Sequence, residues 1–287
     1  MSQQVWFITG GANGLGRDIT ETALAAGHQV VAAARTPAQL DELAQRHPGR
    51  LLPVALDVTD RAAIGAAVAQ AIDVFGRIDV LVNNAGYGQM LPFEQMEDSD
   101  FRAQIDTNLY GVVDVTRAVL PFMRERRSGH IINVSSVGGR IGVPGMSAYQ
   151  AAKWAVGGFT EVLAMETAPL GIKVTAIEPG GMRTNWAQRA RGDMPAVMPD
   201  YEESVGAWMK QLGQIAGQEH SDPARVAQVV LKLARHPAPP MHLMLGEDAL
   251  HYFSMVEQQR VDTAERWKPV TVSTGYSEQP VPELPAQ

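Results

Sequence analysis

Six short runs rich in β-branched and apolar residues, each followed by a segment of helix length, constrain the fold of this chain more than any other feature. Val5 to Thr9, Gln29 to Ala34, Leu51 to Leu56, Val80 to Val82, His130 to Val134 and Lys173 to Ile177 read as strands. Several are apolar on both faces, the pattern of strands covered by helices on either side of a parallel sheet. Repeated strand and helix alternation predicts an α/β fold, a doubly wound parallel sheet with right-handed crossovers. Met241 to Leu245 supplies a last strand, for about seven in all. No Gly, Ser or Pro linker divides the pattern, so residues 1–246 are expected to form a single domain. Residues 247–287 are expected to add a helix over 247–268 and a Pro-containing tail, Pro280 to Pro285, that cannot hold a helix.

Composition narrows the functional classes. A chain of 287 residues with 45% hydrophobic and 19% charged residues has enough apolar content for a substantial core. The net charge is −7, and no basic tract exceeds Arg124-Glu-Arg-Arg127, which suits the C-terminal end of a helix. Nucleic acid and anionic membranes are therefore disfavoured as partners. With no cysteine, disulfides and thiolate metal sites are excluded, and the seven histidines lack metal-ligand spacing. No basic leader or long apolar segment is visible, so the cytoplasm is the expected location.

Directly after the first strand comes Thr9-Gly-Gly-Ala-Asn-Gly-Leu-Gly16. Glycines at 10, 14 and 16 allow a tight turn and a close approach to a pyrophosphate, while the helix from Leu15 points its N-terminus at the anion. The alternative is a glycine-rich strand-to-helix turn without a ligand. About 20 residues further on, the end of the second strand faces the adenosine ribose in dinucleotide-binding sheets. Here it reads Ala32-Ala-Ala-Arg35, with no carboxylate for a 2′-hydroxyl and one guanidinium for a 2′-phosphate. NADP(H) is the expected cofactor and NAD(H) the alternative; Arg35 can equally be a solvated residue opening a loop. Asp57 and Val58 end the third strand, where Asp57 can meet an adenine amino group or cap a turn.

Tyr149 and Lys153 lie four residues apart in Ser147-Ala-Tyr-Gln-Ala-Ala-Lys153. On a helix they share a face, and a fixed ammonium there is expected to pull the phenol pKa toward neutrality for general acid or base work.

Together these residues resemble the short-chain dehydrogenase/reductase family. The glycine turn, Asn83-Asn-Ala-Gly86, Asn108, Asn133-Val-Ser-Ser136, Tyr149-x-x-x-Lys153, and Pro179-Gly180 with Thr184 occur in that family's order and spacing, over residues 5 to about 245. The resemblance implies a single-domain Rossmann fold and hydride transfer between NAD(P) and a carbonyl or alcohol substrate. It implies Tyr149 as the proton donor or acceptor and Lys153 as its tuner and ribose holder. Ser136, 13 residues before Tyr149, would bind the substrate oxygen, with Ser135 as the fallback. Asn108 would position a water in the proton relay, or else be an amide bonding a nearby carbonyl. Thr9, Gly10, Asn13, Gly14, Leu15 and Gly16, with Asn84, Ala85 and Gly86, are expected against the cofactor. So are Pro179, Gly180, Met182 and Thr184, the threonine at the carboxamide. Family members usually pair through the helices around Asn108 and Tyr149, so a homodimer or homotetramer is expected. The C-terminal extension resembles that of the branch of 17β-hydroxysteroid dehydrogenase-like proteins.

Residues 184–222 correspond to the family's substrate lid. Trp186, Met194, Met198, Tyr201, Trp208 and Met209 there suit an apolar substrate, or they form the inner face of lid helices. Two rival functions remain open: a non-catalytic NADP-binding sensor or scaffold, and an epimerase or dehydratase using the same cofactor.

Overall fold

In the computed structural model, which describes residues 3–192, 195–276 and 280–285, seven strands form one sheet. They are β1 Val5–Thr9, β2 Gln29–Ala34, β3 Leu51–Ala55, β4 Val80–Asn83, β5 Gly129–Val134, β6 Ile172–Pro179 and β7 His242–Leu245. All neighbours pair in parallel, in the order β3-β2-β1-β4-β5-β6-β7. Side chains alternate between two cores, as the period of two in a strand requires. Trp6 and Ile8 of β1 enter one core and Phe7 the other; Val80 and Val82 of β4 oppose Leu81 in the same way. With both faces buried, a polar alternation would be costly, which is why these runs are almost wholly apolar.

On the first face lie α1 Gly14–Ala25, α2 Asp41–Arg46 and α9 Pro223–Leu233; on the second lie α3 Arg61–Phe75, α5 Gly111–Arg126 and α6 Ser147–Thr167. Local signals set their ends. Asp60 accepts from the Ala62 and Ala63 amides to start α3, and Gly76, at φ 76°, ends it in the left-handed region. Asp222 caps α9 ahead of Pro223. Between α4 Asp98–Ile105 and α5 the helix carries a π turn, Asp106–Tyr110, in which the Gly111 amide reaches back five residues to the Asp106 carbonyl. The lid region holds α7 Trp186–Arg191 and α8 Ala207–Ile215.

The expected strands are all present, with small shifts in their ends. β3 stops one residue early, at Ala55, while β6 runs on through Pro179. The C-terminal helix α10 spans Glu247–Val272 and passes through Pro269, beyond the expected 268. Arg260 fastens its middle, donating to the Arg140 carbonyl at 2.7 Å and lying 4.8 Å over the Trp154 ring. Among the described residues no helix is long and apolar enough to cross a membrane.

Candidate active site

From β1 the chain runs outward in one direction to β2 and β3, and from β4 outward in the other. In open parallel sheets, the carboxyl ends at such a reversal form the ligand-binding crevice. Here that crevice is built by the segments following β1, β4, β5 and β6.

After β1, Gly10 and Gly14 have φ of 65° and 51°, conformations that favour glycine. A Cβ on Gly16 would run into the Gly10 carbonyl and the Asn84 amide, so the turn must stay bare to close against β4. Thr9 and Asn84 form the closure. Thr9 Oγ1 accepts from the Asn84 and Ala85 amides, both at 3.0 Å, and Asn84 Nδ2 donates to the carbonyls of Thr9 and Gly10 at 3.0 and 3.2 Å. Leu15 turns its side chain into the core, and Asn13 donates to Gln39 Oε1 at 2.8 Å. These side chains shape the turn, while its main chain, with Gly14 and Asn13, lines a cavity of about 210 Å³.

At the adjoining strand ends, Arg35 is exposed. Asp57 takes its turn-capping alternative, accepting from the Thr59 amide at 3.0 Å and hydroxyl at 2.7 Å. These bonds hold its carboxyl below the ordinary carboxylate range, burial opposes them, and the Arg35 charge adds to the lowering. Val58 is buried against Gly111, while Gly86 packs on Asn108.

The β5 and α6 segments bring the reactive side chains together. Tyr149 and Lys153 share the inner face of α6, with Lys153 Nζ 5.5 Å from the centre of the phenol ring. Ser136 hydrogen-bonds the phenol, whereas Ser135 is buried and donates to the Lys153 carbonyl at 3.2 Å. A Cβ on Gly139 would meet that same carbonyl at 2.8 Å, so the turn after β5 is pressed against α6. Beneath, Asn83 donates to Asn133 and Asn133 to Thr160, each at 2.9 Å, a buried amide chain tying β4 and β5 to α6.

One expectation, the shift of the phenol, is corrected by this geometry. The phenol is not drawn toward neutrality: burial pushes Tyr149 up to about 12, with the Ser136 bond opposing, and burial pulls Lys153 down to about 8. Burial governs both shifts, and the ammonium lies over the ring and donates to the Val134 carbonyl at 2.8 Å. Asn108 adopts the amide alternative. It donates to the carbonyls of Tyr87 and Gln104 at 2.7 and 2.8 Å and accepts from the Tyr87 amide at 3.2 Å, so both amide protons are spent on the protein.

After β6, Pro179 is the last strand residue, and the Gly180 amide donates to the Leu245 carbonyl at 2.9 Å. Asp248, at the start of α10, accepts from the Gly181 amide at 2.7 Å. That contact was not foreseen, and the two acidic residues opening α10 were its only sequence signal. Met182 bridges to Ser221, and Thr184 Oγ1 accepts from the Trp186 amide at 3.2 Å. Trp186 then lies on the catalytic side, its ring 5.1 Å from that of Tyr149. Met90, Met146 and Tyr149 are buried with Val143, Trp186, Trp208, Met209 and Leu212 around them. Met198 and Tyr201 stand farther out, bonded to Gln95 and Glu94. Met194 lies outside the described residues.

A dinucleotide crevice with Ser, Tyr and Lys side chains at its centre defines an oxidoreductase of the Rossmann class, and comparison with known proteins agrees. The family model described as short chain dehydrogenase matches residues 4–195. "Oxidoreductase BOA17" of Botryotinia fuckeliana is 46% identical over 272 residues, covering 94% of this chain and 99% of that protein. The "3-ketodihydrosphingosine reductase" of Bacteroides thetaiotaomicron is 33% identical, over 86% of this chain and 89% of its own. The crystal structure of a short-chain dehydrogenase from Streptomyces avermitilis is similar at a TM-score of 0.89 and 38% identity, covering 96% of this chain and all of that one. The chain belongs to the short-chain dehydrogenase/reductase family of oxidoreductases.

Proposed function

We propose that this protein is an NADP(H)-dependent reductase of apolar ketones, with Tyr149 as the general acid. One observation carries the reading: a phenol held in its protonated form beside Ser136, packed among Met, Trp and Val side chains. The chain's residues suit the cofactor. A turn that favours glycine leaves its main chain open to a diphosphate, exposed Arg35 can meet a 2′-phosphate, and Lys153, beside Gly86, would hold the ribose hydroxyls. When bound, the nicotinamide supplies the hydride that no side chain can.

The protein's own groups handle the oxygen. Ser136 and the Tyr149 hydroxyl hold the carbonyl oxygen, and as charge develops on it Tyr149 gives up its proton. Lys153, retaining most of its charge below its pKa of about 8, stabilises the phenolate left behind. Pro179, Gly180, Met182 and Thr184 would lie against the cofactor, the threonine at its carboxamide. The Bacteroides relative, by its name a reductase of a ketone on a long-chain base, supports an apolar substrate. Exposed apolar side chains on α6 support a homodimer or homotetramer.

The test follows NADPH absorbance over a panel of apolar ketones with the wild type and Tyr149→Phe. Loss of the acid is expected to reduce kcat by a factor on the order of a hundred or more with NADPH binding retained. Equal turnover in both proteins would sink Tyr149 as the acid, and tight binding without turnover on any ketone would favour the sensor.

A further inference from the structure

We infer that Arg183 and Arg189, on the lid side of the crevice, grip the diphosphate of the dinucleotide against the glycine turn. The inference rests on the dinucleotide reading above and extends it to two side chains to which the cofactor motifs give no role. Asn13, Gly14 and Asp18 form one wall of the 210 Å³ cavity, and Arg183, Thr184 and Arg189 face them. Gly14 has nothing within 4 Å of the place a Cβ would take, so its main chain is open toward that space.

Charge favours an anion there. Among the described residues lining the cavity, Asp18 has the one carboxylate, and burial, reinforced by Glu21 and Asp222, raises its pKa against the pull of Arg17. Two guanidinium groups outweigh it, and the N-terminal end of α1 adds partial positive charge. Planar guanidinium groups match phosphate oxygens bidentately, as a lysine cannot. Arg183 is steadied for the task by Nε, which donates to the Glu219 carbonyl at 2.9 Å. Arg189 belongs to α7, the same short helix that lays Trp186 on Tyr149. A diphosphate held by Arg189 therefore also fastens the lid across the phenol.

Titration calorimetry of NADPH and of adenosine 2′-monophosphate, which lacks the diphosphate, tests this on wild type, Arg183→Ala, Arg189→Ala and Arg189→Lys. Each alanine variant is expected to weaken NADPH about tenfold and the monophosphate less than about twofold, the lysine variant recovering part of the loss. Unchanged NADPH affinity in Arg189→Ala would overturn the inference, as would an equal loss for the monophosphate. Failure of the wild type to bind NADPH or NADH would instead overturn the dinucleotide reading itself. The two failures are thus distinct.

Discussion

Tyr149 keeps its proton because it is buried, and Lys153 loses part of its hold on one for the same reason. A buried phenol at about 12 and an ammonium at about 8 make the ligand-free site an acid ready to donate, with the lysine as the group that titrates first. As pH rises through about 8 the ammonium is lost, so kcat/KM for NADPH, which reports groups of the ligand-free enzyme, is expected to fall. A profile flat to pH 10 would contradict this. On the NADP(H) reading, Arg35 is the residue that selects the cofactor. Arg35→Asp is expected to weaken NADPH tenfold or more while NADH changes less than about threefold, by fluorescence titration. Unchanged selectivity would make Arg35 a plain surface residue. The residues at the centre of the site were legible from the order of several motifs together, since the one helical turn from Tyr149 to Lys153 is a weak signal by itself. Their protonation was not, since it depends on how much protein covers them, and a sequence does not state burial. Nor could it show that the Asn108 amide is spent on Tyr87, because that contact joins the π turn to the loop after β4, 21 residues earlier in the chain.

Among the elements, strands were the most legible because burial on both faces demands unbroken apolar runs. Their ends were less so: Leu56 is buried but follows the last residue of β3, so apolar character continued past the strand. α10 runs past the expected 268 and through Pro269, because its exposed last turns tolerate the missing amide where solvent can satisfy the freed carbonyl. On α6, Trp154, Val162 and Met165 are 44%, 52% and 64% exposed, and Gly158 between them has open space above it. At helical spacing these positions form one apolar stripe on the outward side. Met165→Glu is therefore expected to shift the mass measured by light scattering from an oligomer to a monomer. A wild type already monomeric, or a variant of unchanged mass, would remove α6 as the contact.

At the scale of the whole molecule, acid sensitivity is built into the sheet. His130 joins β5 to β6, bonding Thr175 Oγ1 at 3.0 Å, and burial pulls its pKa down to about 4, with the Lys173 charge adding to the effect. In the unfolded chain the ordinary value is near 6.5. Between those values the unfolded chain binds a proton that the folded one refuses, so this stability is complete above about 6.5 and is lost as pH falls toward 4. The linkage is worth roughly 3 kcal/mol. Urea unfolding at pH 7 and pH 4.5 is expected to show a smaller acid loss for His130→Asn than for the wild type; equal losses would refute the assignment.

The π turn at Asp106–Tyr110 also constrains how this molecule can change in length. It accommodates one residue more than a regular helix, so that Asn108 is turned toward Gly86 and Tyr87 while Val112, Val115, Val119 and Met123 of α5 stay in the core. Removing one residue would rotate one segment against the other by about 100°, and either the asparagine or the apolar face would lose its place. Insertions and deletions tolerated in evolution or engineering must therefore fall outside the stretch from α4 to α5.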